Sequence, residues 1–442
     1  MASRMYVRQP PDVRSAATLR PTIHALLFIL ACVLAVAAQP DVLLMHKLGQ
    51  GSFGSCADGS PQAVYYRNCT GNWDSKGPDF CNVTDHRWVV YFGELSTSDS
   101  ATASGEYCYD LRSCASRSPN LTSSRHLPAT LYPDGIASVA AEVNPNLYLQ
   151  TTVVVPYCTS DLFIGRGNSS RSPSLTGALN VDIVLQSLFS SAVMPGPTMA
   201  AADSVVLIGG AGVMARIDDL ASALVTYKRR ATGNASAELN VYGVCTGCLL
   251  FEPSPAFAEA ACTTDANCEP SVALPRLAAL AGDIARPSWC SMADAWECFT
   301  APSIQRAMLT SALRTPMLVT ASQYDARALA SLGVPSPITG TGLAWAETVY
   351  APAVRSSLGE LPFPYSPACV RPSAVAALTR SWFQTRVPHL DSFNHTTMDA
   401  ASVAASSFLE AAAPGGVGPA SFGSWMDDCA HLAGCNPSDC AE

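Results

Sequence analysis

Charge is what this chain has least of. Only 14% of its 442 residues are Asp, Glu, Lys or Arg, and 26 basic side chains face 35 acidic ones. The resulting net charge of −9 leaves no basic footprint for a phosphate backbone, so nucleic acid is excluded as a partner. Scarce charge beside 48% hydrophobic residues also excludes a disordered chain. Long apolar runs are lacking beyond the N-terminal region, so no later segment is expected to cross a bilayer. The end of the sequence, Cys435 to Glu442, is polar, which argues against a lipid-anchor signal there. No internal repeat is present, and the Ala/Ser-rich patches are too short to make a low-complexity block.

The N-terminal region is the exception. Arg4, Arg8, Arg14 and Arg20 precede an apolar run from Ile23 to Ala38 that closes in Ala35-Val36-Ala37-Ala38. Basic residues, an apolar stretch and small residues at its end describe a cleaved secretory signal peptide over residues 1–38. The alternative is an uncleaved type II signal anchor, the one case in which the protein would meet a membrane. The run is shorter than the ~20 residues of a spanning helix. Cysteine usage agrees with a secreted, extracellular location. One of 17 cysteines, Cys32, lies in the signal, and the remaining 16 suit up to eight disulfides in an oxidising compartment. Six N-x-S/T sequons, at Asn68, Asn82, Asn120, Asn168, Asn234 and Asn394, favour a glycosylated surface.

Short β-branched or aliphatic runs at Trp88–Phe92, Thr151–Val155, Val205–Ile208 and Pro316–Thr320 predict buried parallel strands. Helical patterns cover Val181–Val193, Arg216–Tyr227, Ile304–Leu313 and Ala400–Ala411. Strands alternating with helices predict an α/β fold, a mostly parallel sheet flanked by helices. Residues 39–442 are expected to form a single domain with insertions. Thr97–Ser104 is one insertion, and the Pro-, Ala- and Cys-rich stretch Glu252–Ser288 is expected to form a stapled cap or loop.

Two motifs are set aside. Leu48–Gly54, LGQGSFG, imitates a phosphate-wrapping kinase loop, but no matching lysine, catalytic Asp or D-F-G follows. Cys245-x2-Cys248 with Cys262 and Cys268 imitates a zinc ribbon, but the second spacing is Cys-x5-Cys, and disulfides suit the compartment better. No metal and no cofactor is expected.

Other blocks carry more. Cys56-Ala57-Asp58-Gly59-Ser60-Pro61 is followed by Tyr65; Tyr107-Cys108 is followed by Cys114. Asn144-Pro145 and Tyr148 precede Pro156-Tyr157-Cys158, Phe163 and Gly165. Cys290 and Cys298-Phe299 precede Thr315-Pro316-Met317 and Tyr324-Asp325. Taken in order, these resemble the pectin acetylesterase/Notum family, which has C-x-D-G-S-P-x-x-Y, W-C-x5-C, N-P-x-x-Y, Y-C-x4-F-x-G and then Y-D. The resemblance implies an α/β-hydrolase acting on a carboxylic ester of an acylated polysaccharide or an acylated protein.

Such a site needs a serine on a strand-to-helix elbow, a histidine to take its proton, an aspartate to orient that histidine, and backbone amides for the oxyanion. Here the elbow reads Gly209-Gly210-Ala211-Gly212 where the family has G-C-S-A-G-G, so Gly210 stands at the nucleophile position. The glycines are expected to supply positive φ at the turn. Asp325 is the acid candidate. His389 is the base candidate, with His395 as competitor inside a sequon, and His431 is assigned to structure. Gly105 and the Ala211 amide are the oxyanion candidates, but the family's G-G-G-W is reduced to Ser104-Gly105-Glu106-Tyr107. No G-x-S-x-G occurs elsewhere. The expectation is a hydrolase fold that binds an acyl group or acylated glycan without hydrolysing it; the alternative is an active ester hydrolase using another serine.

Overall fold

A computed structural model of the chain describes residues 43–48, 54–67, 86–93, 107–133, 135–138, 143–144, 147–148, 150–167, 173–191, 198–253, 257, 268–335, 338–368, 386–390, 396–416, 418 and 425–426. Residues 1–38, where a signal peptide is expected, the expected insertion at Thr97–Ser104, Gly105, His395 and His431 lie outside them, as do the sequons at Asn68, Asn82, Asn168 and Asn394.

Branched side chains build the centre. In β3 (Arg87–Gly93), β5 (Thr151–Pro156) and β6 (Ser204–Gly209), successive side chains point to opposite faces. Trp88, Val90, Phe92, Val153, Val155, Val205 and Leu207 enter one hydrophobic core. Val89, Tyr91, Val154, Val206 and Ile208 enter the other. Each face is covered, so no polar alternation is needed, and the strands read as unbroken apolar runs. Helices Gly177–Ser187, Ile217–Thr232, Pro270–Ala281 and Ala301–Leu309 contribute Val184, Leu224, Leu277 and Ile304 to the first core. Helix Ala401–Ala412 covers the second core with Ala404 and Phe408.

The remaining strands are β1 (Leu43–Lys47), β2 (Ala63–Arg67), β4 (Thr130–Leu131), β7 (Asn240–Thr246), β8 (Met317–Thr320), β9 (Pro364–Ser366), β10 (Arg386–Leu390), β11 (Thr396–Ala400) and β12 (Trp425–Met426). They form one sheet in the order β11-β10-β12-β9-β8-β7-β6-β3-β5-β2-β1-β4. From β5 through β12 every pairing is parallel. The flanking pairs are antiparallel. This is the mostly parallel sheet flanked by helices of an α/β-hydrolase fold.

All four expected strands form, each within one residue of its expected bounds. The expected helices form with shifted ends; the first starts at Gly177 and stops at Ser187. Strand β7 escapes a hydropathy reading because Gly243 interrupts it. A Cβ at Gly243 would stand 2.5 Å from Ile217 Cδ1, so the glycine is what lets the following helix lie close on the sheet. The Glu252–Ser288 stretch, expected to be a stapled cap or loop, has regular structure in its described part. It contains helix Pro270–Ala281, with Pro270 at the first turn, where a missing N–H costs nothing, and Leu274 and Leu277 fully buried.

Disulfides join Cys56 to Cys158, Cys108 to Cys114, Cys245 to Cys248 and Cys290 to Cys298, and Cys268 is also bonded. Asn234 is exposed beyond the end of helix Ile217–Thr232, and its Oδ1 accepts from the Ser236 amide at 3.0 Å and hydroxyl at 2.8 Å. Among the described residues no helix is long and apolar enough to cross a membrane.

Candidate active site

The parallel strands bring their carboxyl ends to one edge of the sheet, where open α/β sheets place ligands. Gly93 ends β3, Tyr157 follows β5, Gly210 follows β6, Thr246 ends β7, and Asp325 lies five residues beyond β8.

Gly210 sits where the elbow was expected, between β6 and a short helix, Ala211–Met214, whose first backbone bond runs from the Met214 amide to the Gly210 carbonyl. Its backbone is φ −84°, ψ −164°, extended and open to any residue. The expected positive φ is therefore corrected: none of Gly209, Gly210 and Gly212 adopts it. The glycines answer to space instead. A Cβ at Gly212 would stand 1.8 Å from the Leu162 carbonyl oxygen, whereas a Cβ at Gly210 would meet nothing within 4 Å. Residue 210 thus has room for a side chain and carries none. Ala211 opens the helix, so its N–H has no intrahelical acceptor, and it lines the same cavity as Gly210.

Left-handed backbone occurs in the neighbouring loop, at Ser160 (φ 54°), Leu162 (φ 57°) and Phe163 (φ 60°). Such values in non-glycine residues persist only where the surroundings over-determine them. Tyr157 Oη accepts from the Leu162 amide at 2.6 Å. The fully buried Asp161 accepts from the Thr159 hydroxyl at 2.6 Å, the Phe163 amide at 3.0 Å and the Gly177 amide at 2.7 Å. Burial pushes the Asp161 carboxyl above the usual carboxylate range, with those hydrogen bonds acting against the shift. Gly165 and Gly177 make room for it; a Cβ there would stand 2.5 Å and 2.1 Å from its oxygens. The Cys56–Cys158 disulfide ties the loop to the start of the domain. The Y-C-x4-F-x-G block is thereby explained as a rigid wall. Sequence reasoning used it as a landmark and missed its place at the site.

Two cavities open here. The first holds about 470 Å³, its open mouth included, among Tyr91, Phe92, Tyr157, Leu162, Phe163, Gly210 and Thr246. The second holds about 680 Å³ on the same measure, among Tyr107, Tyr109, Leu249, Leu250, Phe251, Ser322, Asp325 and Tyr350. Gly247 and Arg327 line both. The Cys245–Cys248 disulfide closes the Thr246-Gly247 turn in that shared wall, so these sulfurs bind each other. Arg327 went unnoticed in the sequence, where nothing distinguishes it from a surface cation.

Asp325 is buried and follows β8 as expected. Its Oδ1 accepts from the Arg327 amide at 3.0 Å and the Ala328 amide at 3.1 Å, capping helix Ala326–Ser331. His389 lies in β10. Its backbone pairs with Trp425 of β12, Trp425 with Tyr365, and Tyr365 with Thr320. Thr320 pairs with Thr246, the strand end beside residue 210. Five strand spacings of about 4.8 Å each, measured along the sheet, separate the His389 backbone from the strand that leads into residue 210. In the strand order, β10 with His389 stands five positions from β6, which leads into Gly210.

A family profile described as Pectinacetylesterase matches residues 41–236. The chain is 28% identical over 187 residues to human palmitoleoyl-protein carboxylesterase NOTUM, covering 41% of this chain and 32% of that protein. The Mus musculus protein of the same name is 24% identical over 342 residues, covering 74% and 59%. The chain thus spans about one third to three fifths of the length of these two relatives. Inactive palmitoleoyl-protein carboxylesterase notum1b of Danio rerio is 30% identical over 129 residues, 28% of this chain and 76% of that protein. In structure, the Wnt deacylase Notum of Drosophila superposes with a TM-score of 0.65 at 21% identity, covering 88% of this chain and 97% of that one. With its strand order, its disulfides and its elbow, the chain belongs to the pectinacetylesterase/Notum family.

Proposed function

We propose that this chain is a secreted, non-catalytic member of its family that binds an acyl group, carried on protein or glycan, in the cleft at residue 210. The observation that carries the reading is Gly210 itself. The turn has space for a serine side chain and presents only a hydrogen. Loss of the nucleophile in a triad enzyme costs on the order of 10⁶ in rate. The cleft nonetheless keeps an aromatic and aliphatic lining suited to an acyl chain. The family also includes a relative named as inactive.

A second reading, an active carboxylic-ester hydrolase, draws on the hydroxyls of Thr246 and Ser322, which line the two cavities. One experiment separates the two. The wild-type chain is incubated with a fluorophosphonate probe and, separately, with a simple acetyl ester, beside the Gly210→Ser variant. The proposal expects no covalent labelling and no turnover by the wild type. Labelling of Thr246 or Ser322, or wild-type turnover at or above that of the variant, refutes it.

A further inference from the structure

The Cys-x2-Cys spacing set aside as a metal motif has a place at the cleft. Strand β7 carries Cys245 toward the carboxyl edge of the sheet, and residues 245–248 close into a small ring through the Cys245–Cys248 disulfide. Thr246 lines the first cavity, Gly247 lines both, and Leu249, Leu250 and Phe251 line the second, so the ring sets the path of the partition between them. Its strand side is fixed, because the Thr320 hydroxyl donates to the Cys245 carbonyl at 2.7 Å. Its far side turns at Gly247, which is left-handed at φ 70° and whose amide reaches the Thr320 carbonyl at 3.3 Å. The disulfide then holds Cys248 back against the strand end. A staple adds most stability when it closes a long loop. Cys56 and Cys158 are 102 residues apart and Cys245 and Cys248 only 3, so losing the small ring leaves the domain folded. Cys-x-x-Cys is also the spacing of redox-active pairs. The Cys248 amide donates to Cys245 Sγ at 3.2 Å. A hydrogen bond to sulfur favours the thiolate, and stabilising the reduced form makes a disulfide easier to reduce.

We infer that Cys245–Cys248 is a redox switch in the cleft wall: a dithiol reductant opens the ring and frees the Thr246-Gly247 turn that partitions the two cavities. A thiolate of the reductant attacks Cys248 Sγ, the sulfur–sulfur bond breaks, and Cys245 leaves as the thiolate that the Cys248 amide supports. The second thiol of the reductant closes on the reductant's own sulfur of the mixed disulfide and releases Cys248. Two electrons and two protons pass to the protein, and the reductant is left as a disulfide. Both sulfurs belong to fully buried residues, so attack requires the turn to lift into the cavities it borders, an opening that glycine at 247 permits. The switch is a property of the wall and is independent of what the cleft binds.

Graded reduction of the full chain with dithiothreitol tests it, with free thiols trapped by iodoacetamide and located by peptide mass spectrometry, and amide hydrogen exchange measured on the same samples. Cys245 and Cys248 are expected to be labelled at reductant concentrations that leave Cys56–Cys158 intact and the far-ultraviolet circular dichroism unchanged. Exchange over residues 246–251 is expected to rise about 10-fold or more when the four-residue ring is released. The double variant Cys245→Ser, Cys248→Ser is expected to fold, to show the raised exchange without reductant, and to respond to those concentrations no further. Labelling of Cys56 and Cys158 before Cys245 and Cys248 overturns the inference, as does unchanged exchange over residues 246–251 after the pair is reduced. A double variant that does not fold, or whose exchange still climbs with dithiothreitol, overturns it as well.

Discussion

Substituting alanine at Gly212 and at Gly210 makes the same chemical change two residues apart, with opposite expected outcomes. At Gly212 the new Cβ would stand 1.8 Å from the Leu162 carbonyl oxygen and 2.7 Å from Ile164 Cγ2, where real Cβ contacts essentially never fall below 3.0 Å. The loop must therefore retreat by at least about 1.2 Å. It is poorly placed to do so, because Leu162 and Phe163 are held in left-handed conformations by Tyr157 and Asp161. Overpacking of a fixed wall costs about 1–3 kcal/mol, and a backbone obstacle puts Gly212→Ala at the upper end or beyond. At Gly210 nothing lies within 4 Å and φ is −84°, so Gly210→Ala is expected to be neutral or to stabilise by about 0.4–1 kcal/mol through the unfolded chain. Urea unfolding followed by circular dichroism reads the contrast. With a slope of about 3 kcal/mol per molar, a loss of about 3 kcal/mol moves the midpoint down by roughly 1 M. A Gly212→Ala midpoint equal to wild type, or Gly210→Ala as damaging as Gly212→Ala, would refute the account of the elbow.

Asp161→Asn turns one buried acceptor into a donor facing the Gly177 amide or the Thr159 and Phe163 donors; the loss is expected to be about 1–3 kcal/mol, read as a lower urea midpoint, and an unchanged midpoint contradicts the role given to Asp161. Asp110 caps helix Leu111–Ala115, and the Ser113 amide on its Oδ1 at 2.7 Å is the main cause holding its carboxyl below the ordinary 3.8. A lowered folded value means stability present above the unfolded value and lost as pH falls through the folded one, so melting temperatures of wild type and Asp110→Asn should converge below about pH 4; a constant gap down through acid pH counts against the cap.

Much of this architecture is legible along the chain because it is local. The valine-rich runs of β3, β5 and β6 mark strands buried on both faces, and Gly209-Gly210 marks a turn, since both signals depend only on neighbours in sequence. Strand β7 was hidden by Gly243, whose reason, the approach of Ile217, is a contact across the fold. Helix Pro270–Ala281 was hidden by its two prolines, one at the start and Pro275 inside.

The sequence by itself determined the family resemblance, the alternation of strands and helices, and the absence of a hydroxyl at position 210. Those properties belong to residue identity and spacing. Tertiary structure alone decided that the elbow is extended, that Leu162 blocks position 212 while position 210 is open, that Arg327 borders both cavities, and that His389 starts five strands from Gly210. Each is a distance between segments far apart in the chain, set by strand register and by how loops pack over strand ends. No local pattern encodes such distances.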